Sequence, residues 1–278
     1  MLIIRTLHDL ERTCALWRQQ QHTIALIPTL GALHDAHGHL MHVARSHAHK
    51  RIVSIFLNPT QFAPHEDLRQ YPHTPEQDIA CAKAQAIDAL FMPPTDLIYP
   101  QDFATSITMP THTRHFCARY RPHHFPAVLT VVARLLMLVK PDIGVFGEKD
   151  YQQLRLIQQL VKDMHMPITI LPVPTYRHDD GLAFSSRNAY LDDTQRARAP
   201  LLYKTLLTTQ RAIQQGQDIT KCITHAQQQL RTHGFDPIDY IDLCDGRTLT
   251  PTTTRHKDCR LLAAAWLGTT RLIDNVPL

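Results

Sequence analysis

The sequence predicts an α/β fold in which a parallel sheet carries helices on both faces, followed by a smaller α+β domain. Three observations carry this expectation. Short apolar runs rich in β-branched residues alternate with longer segments of helical periodicity over residues 1–173. The runs are nearly continuous in apolar character, as strands buried on both faces require. Two of the runs pass directly into turns that introduce helices, and a third ends at Asn-Pro.

Thr23–Pro28 (TIALIP) is the first expected strand; Thr29 and Gly31 follow as a turn, and His37–Lys50 has no breaker after Gly38. Arg51–Leu57 (RIVSIFL) is a second strand, ended at Asn58-Pro59 because proline cannot donate to the ladder. Thr74 as cap and Pro75 in the first turn open a helix through Ala86, and Ala89–Met92 is a third strand. Val128, Val131, Val132, Leu135, Leu136 and Val139 form a helical stripe that stops before Pro141. Ile143–Phe146 is then a strand, Leu154, Ile157, Leu160, Val161 and Met164 mark a helix, and Ile168–Val173 is a strand.

Pro172, Pro174 and the polar stretch Arg177–Gly181 end this alternation. Two long helical segments, about Asp192–Gln215 and Ile219–His233, precede two strands at Tyr240–Cys244 and Arg260–Leu267. The expected division is therefore a domain over 1–173 and a second over 174–278.

With 278 residues and 44% apolar composition the chain can fill an ordinary core, so extensive disorder is not expected. A net charge of +4 is too mild and too scattered for a nucleic-acid surface. No run approaches the ~18 apolar residues of a membrane span, and MLIIRTLHDLERTC lacks the regions of a signal peptide, so the expectation is a soluble, cytoplasmic protein. Six cysteines without a CxxC pair are expected to be reduced and mostly buried. The nine glycines spell neither GxGxxG nor GxxxxGK[ST], so any nucleotide site must use other chemistry.

Four segments offer such chemistry. In Leu30-Gly31-Ala32-Leu33-His34-Asp35-Ala36-His37, between the first strand and its helix, two imidazoles three residues apart can donate to phosphate beside a helix N-terminus. Against this stands composition alone, which scatters 19 histidines along the chain. Asn58-Pro59-Thr60-Gln61-Phe62 follows the second strand and offers paired amide donors and acceptors, or simply an Asn-Pro turn. In Gly147-Glu148-Lys149-Asp150 the glycine lets backbone approach a ligand and Lys149 supplies a compact charge; a capped helix start explains the same residues. Gln153, one turn further, is placed to face the crevice that Gln61 faces. Phe184-Ser185-Ser186-Arg187-Asn188 has the hydroxyls and guanidinium of a mobile phosphate clamp, or of an N-cap serine pair.

In this order, PTLGALHDAH, VSIFLNPTQF, YPHTPEQD, GVFGEKDYQQL and DGLAFSSRNAYL resemble the pantothenate synthetases, or pantoate–β-alanine ligases, with weaker similarity running to RLIDN at 271–275. The resemblance covers nearly the whole chain. It implies a Rossmann-like domain with a HIGH-type motif, a C-terminal lid, a homodimer, and ATP with Mg2+ as substrate. Pantoate would be adenylated with release of pyrophosphate, and β-alanine would then displace AMP.

By position, the resemblance assigns ATP binding to Leu30–His37, to Gly147, Glu148, Lys149 and Asp150, to Tyr176, and to Phe184, Ser185, Ser186 and Arg187. Catalysis would fall to His34, His37, Lys149, Ser185, Ser186 and Arg187. Gln61 and Gln153 would hold pantoate, and Asp78 would be an outer-sphere magnesium partner. Several positions depart from the family pattern: Leu30 and Phe184 replace methionines, Ala36 a glycine, Gly38 a leucine, Tyr176 a valine, and His123 and Ala127 the glycines of RPGHFxGV. Gly38 is expected to compensate for Ala36 by freeing the first helical turn, so that Gly38→Leu would stabilise the fold and weaken ATP binding. Two other readings remain: a nucleotidyltransferase acting on a different small acid, and a nucleotide-binding regulator that has lost turnover.

Overall fold

The computed structural model describes residues 1–64 and 66–278. In chain order its elements are β1 (Leu2–Ile4), α1 (Leu7–Gln19), β2 (Ile24–Thr29), α2 (Asp35–Ala44), β3 (Lys50–Ile55), α3 (Pro75–Ala84), β4 (Ala89–Phe91), α4 (Thr95–Ile98), α5 (Cys117–Tyr120) and α6 (His124–Val139). Then come β5 (Ile143–Gly147), α7 (Tyr151–Asp163), β6 (Thr169–Val173), α8 (Asp193–Arg198), α9 (Leu201–Gln214), α10 (Ile219–Thr232), β7 (Phe235–Asp245), β8 (Cys259–Leu267) and β9 (Thr270–Pro277). Single turns of 3-10 helix occupy Pro59–Gln61, Asp67–Arg69 and Glu148–Asp150, and a longer one Ser186–Tyr190. Among the described residues no helix is long and apolar enough to cross a membrane.

The chain divides into two compact units. The first comprises Met1–Met109, His123–Glu148 and Leu156–Pro174; the second comprises Pro110–Pro122, Lys149–Arg155 and Thr175–Leu278.

The first unit holds a six-stranded sheet of order β1-β4-β3-β2-β5-β6, parallel at every pairing. Ile24, Ala25, Leu26 and Ile27 are fully buried, which only a central strand covered on both faces allows. From β2 the chain winds one way through β3 and β4, and β5 with β6 lies on the other side, so the strand order reverses between β2 and β5. Crevices at such reversals, beyond the carboxyl ends of the strands, are where open parallel sheets bind ligands. The helix α6 is buried on nearly every side, and its last carbonyls are met by the Arg18 guanidinium, 2.6 Å from Val139 O and 2.8 Å from Lys140 O.

The second unit packs α9 and α10 against the antiparallel sheet β7-β8-β9, with Leu206, Leu230, Phe235, Ile241 and Leu261 in its core. Arg177 and Asp274 form a bidentate pair at 2.6 and 2.8 Å inside it, with the guanidinium over the Tyr203 ring.

Three expectations differ from the structure. The expected helix 192–215 is two helices, because Pro200 has no N–H to continue the first. The pattern read from residue 23 onward omits β1 and α1; the latter is capped by Thr6, whose side chain accepts from Asp9 N. The small sheet has a third strand, β9, and β7 begins at Phe235. All six cysteines are free, and five are buried.

Candidate active site

At the end of β2 the Thr29 hydroxyl donates to Ser54 O at 2.8 Å and accepts from Gly31 N at 3.3 Å, which turns the chain out of the sheet. Gly31 (φ 93°) and Ala32 (φ 51°) are both left-handed, so two successive peptide N–H groups swing to one side. They do not face outward. Leu33 N donates to one oxygen of Asp78 at 2.7 Å and Ala32 N to the other at 3.1 Å, while the Thr74 hydroxyl donates to Asp78 at 3.2 Å. The Asp78 residue is 2% exposed.

The helix α2 starts immediately afterwards with His34 as its N-cap. His34 N donates to His37 Nδ1 at 3.2 Å, and the two rings lie 4.0 Å apart between centroids. Because Nδ1 accepts, the proton of a neutral His37 sits on Nε2, leaving that nitrogen as a donor. The N–H groups of Asp35 and Ala36, ahead of the helical ladder, add two more donors at the positive end of the helix. The HxxH spacing thus builds one local cluster of donors.

At the end of β3, Asn58 is fully buried and Gln61 is 7% exposed. Asn58 Oδ1 accepts from Thr60 N and from the Thr60 hydroxyl, while its Nδ2 donates to Gln61 Oε1 at 3.3 Å and to Ala127 O at 3.4 Å. Gln61 therefore has its carbonyl end held by Asn58. His124 Nδ1 donates to Gln61 O at 3.2 Å, so the start of α6 also holds this turn. Tyr99 stands 3.3 Å from the Thr60 hydroxyl, and burial pushes its phenol up.

The third exit is that of β5, at Gly147 and Glu148. Since β3, β2 and β5 are neighbours and parallel, the three expected segments leave three adjacent strands from the same edge of the sheet.

In the second unit, Lys149 Nζ is 3.8 Å from Asp150, and Lys149 O accepts from Asn275 Nδ2 at 3.0 Å. Asn275 is itself fixed by Arg260, whose Nε donates to its Oδ1 at 2.6 Å. Gln153 is half-buried in the first turn of α7. The Ser185 hydroxyl accepts from Arg187 N at 3.3 Å and so caps the 3-10 turn that contains Ser186 and Arg187, while Asn188 Nδ2 donates to Ala183 O. Phe184 stacks on His178 at 3.6 Å and lies 5.3 Å from Tyr176. Sequence reasoning missed Asn58 as the residue that orients Gln61, the hold of Thr74 and Asp78 on the β2 turn, and the role of Asn275; only RLIDN hinted at the last.

Neighbouring parallel strands whose exits carry a histidine pair and a buried amide turn give the layout of an α/β enzyme that takes its ligand at those exits. The family model for pantoate–β-alanine ligase matches residues 2–277, and the chain belongs to that family. It is 43% identical to pantothenate synthetase of Methylococcus capsulatus over 99% of this chain and 97% of that one. Against the enzyme of Rhizorhabdus wittichii the identity is 45%, over 99% and 98%. The crystal structure of pantothenate synthetase from Thermus thermophilus superposes with a TM-score of 0.94 at 36% identity, covering 100% of this chain and 99% of that one. A pantoate–β-alanine ligase from Francisella tularensis, crystallised with β-γ ATP and β-alanine, gives 0.82 at 33% identity, covering 100% and 97%.

Proposed function

We propose that the chain condenses pantoate with β-alanine at the expense of ATP. The pantoate carboxylate attacks the α-phosphorus of ATP to give pantoyl adenylate and pyrophosphate; the β-alanine amine then attacks the acyl carbon and AMP leaves. The observation that carries the reading is the donor cluster of His34, His37 and the first turn of α2 at the exit of β2, beside the amide pair Asn58–Gln61 at the exit of β3. Donors fixed before the reaction stabilise charge that develops on a leaving pyrophosphate without reorganising.

Leu30–His37, Gly147 and Glu148 of the first unit, and Lys149, Asp150, Tyr176, Phe184, Ser185, Ser186 and Arg187 of the second, are proposed to bind ATP. His37 with Nε2–H and His34 would donate to phosphate oxygens, Lys149 and Arg187 would neutralise charge, and the Ser185 and Ser186 hydroxyls would add donors. Gln61 and Gln153 are proposed for pantoate. Mg2+ would arrive on the phosphates of ATP; among the described residues no group of three or more His, Cys, Asp or Glu is arranged to hold a metal ion. A homodimer is proposed on the family resemblance, and sedimentation equilibrium would test it.

The deciding experiment supplies Mg-ATP, pantoate and β-alanine together. AMP and pyrophosphate should appear in step with pantothenate; ADP and phosphate would indicate an acyl-phosphate route and overturn the adenylate mechanism.

A further inference from the structure

We propose that Asp78 is the positioning residue of the histidine-bearing turn: its carboxylate fills the nest made by the Ala32 and Leu33 N–H groups, so that it serves the turn and not magnesium. Two consecutive N–H groups on a left-handed turn make a concavity that binds anions, and phosphate is the usual guest. Here the guest is part of the chain. One Asp78 oxygen takes Leu33 N at 2.7 Å together with the Thr74 hydroxyl at 3.2 Å, and the other takes Ala32 N at 3.1 Å. A Cβ on Gly31 would lie 3.1 Å from that second oxygen, so a side chain there would press on the carboxylate as well as strain the backbone.

Three consequences follow from this geometry. Ala32 is held in a conformation that an L-residue keeps only when its surroundings impose it, and two charge-assisted hydrogen bonds are what impose it. The carboxylate, 2% exposed and bonded through both oxygens, is a poor partner for a hydrated cation. ATP phosphates are left the donors beyond the nest, namely the first turn of α2 and the two imidazoles. Asp78 belongs to the first turn of α3, and its partners lie 45 and 46 residues earlier, so this one side chain fixes the start of α2 relative to α3.

The test uses amide hydrogen exchange in the intact protein, with kinetics beside it. Ala32 and Leu33 amides should be protected in the wild type. In Asp78→Asn, where an NH2 group replaces one acceptor, both should exchange at least ~10-fold faster while the amides of β2 and β3 keep their protection. Pyrophosphate release should fall by about 10–100-fold in kcat, as displacement of catalytic groups by a fraction of an ångström does. The KM for pantoate and the Mg2+ concentration for half-activation should stay unchanged, and Asp78→Glu should recover part of the protection. Freely exchanging Ala32 and Leu33 amides in the wild type would overturn the assignment. So would an Asp78→Asn protein that keeps them protected while needing more Mg2+. If Asp78→Asn does not fold, Thr74→Val, which removes only the hydroxyl bond, should show the same faster exchange to a smaller degree, and no change at either amide would count against the clamp. The kinetic arm rests on the ligase activity proposed above, whereas the exchange arm does not, so a wild type that releases no AMP would sink that activity alone.

Discussion

His37 shows how a single hydrogen bond sets a residue's chemistry. With Nδ1 accepting from His34 N, a neutral ring carries its proton on Nε2 and can offer it to an oxyanion. His37→Ala and His34→Ala should each slow pyrophosphate release by ~10²–10³-fold, the usual loss for a preorganised donor, and near-normal rates in both would leave the pair as composition. Gln61 is a parallel case, since Asn58 Nδ2 holds its Oε1. Gln61→Ala should raise the KM for pantoate more than that for ATP, by roughly 1–3 kcal/mol. Asn58→Ala should act in the same direction, and the double variant should be less than additive because both remove one arrangement. Gly38, expected from the sequence to gain stability as leucine, has a neighbour that bears on that gain. It is buried, and a Cβ there would stand 3.3 Å from Gln85 Nε2, so the gain in helix propensity meets a side chain already in place. Gly38→Leu should therefore lower the melting temperature, and a rise would show that Gln85 swings away freely.

Among the elements, α2 and α3 share an anchor that neither contains. Arg51, at the start of β3, donates to Met41 O of α2 at 3.2 Å, and to Gln85 O and Ala86 O past the end of α3 at 3.2 and 2.6 Å. A planar guanidinium reaches three carbonyls at two helix C-termini at once, and a lysine ammonium cannot match that fork. Arg51→Leu should cost about 2–3 kcal/mol in urea unfolding, from hydrogen bonds that involve a charge, and Arg51→Lys should recover little of it. The strands were readable in the sequence because β-branched runs end where Asn58-Pro59 or a glycine ends them. The clamp on the β2 turn was not, since YPHTPEQD announces a capped helix and nothing in that local pattern says where Asp78 points. Asp78 was expected beside magnesium; its bonds run to backbone N–H groups 45 and 46 residues away.

At the scale of the molecule, three carboxylates of the second unit are shifted from their ordinary value. Burial pushes Asp180 up, but hydrogen bonds from Arg196 and from Leu182 N outweigh it and hold the carboxyl below its ordinary 3.8. Asp245 is likewise pushed up by burial and held lower by the N–H groups of Thr248 and Arg247. Both folded values lie below the unfolded one, so their stabilisation is present above about pH 4 and is lost as pH falls through the folded values. Asp242 has the opposite sign: burial raises it beyond what Arg119 and His115 offset, so its share of stability fades as pH rises through its folded value. Melting followed from pH 7 down to 3 should therefore show acid loss that is smaller in Asp180→Asn, and an equal loss in that variant would remove Asp180 from the account.

Hydrophobic period, proline and glycine placement and the order of short motifs determined the α/β class, the strand exits and the family, because each of those is written in residues a few positions apart. The tertiary structure alone decided which exits are neighbours, since β3, β2 and β5 adjoin only through a strand order that reverses after β2. It alone decided that Asp78 answers the Ala32 and Leu33 N–H groups, and that Asn58 turns the Gln61 amide. The reason is physical: a buried polar group must find a partner wherever the packed chain supplies one, and that partner's distance along the sequence does not enter its energy.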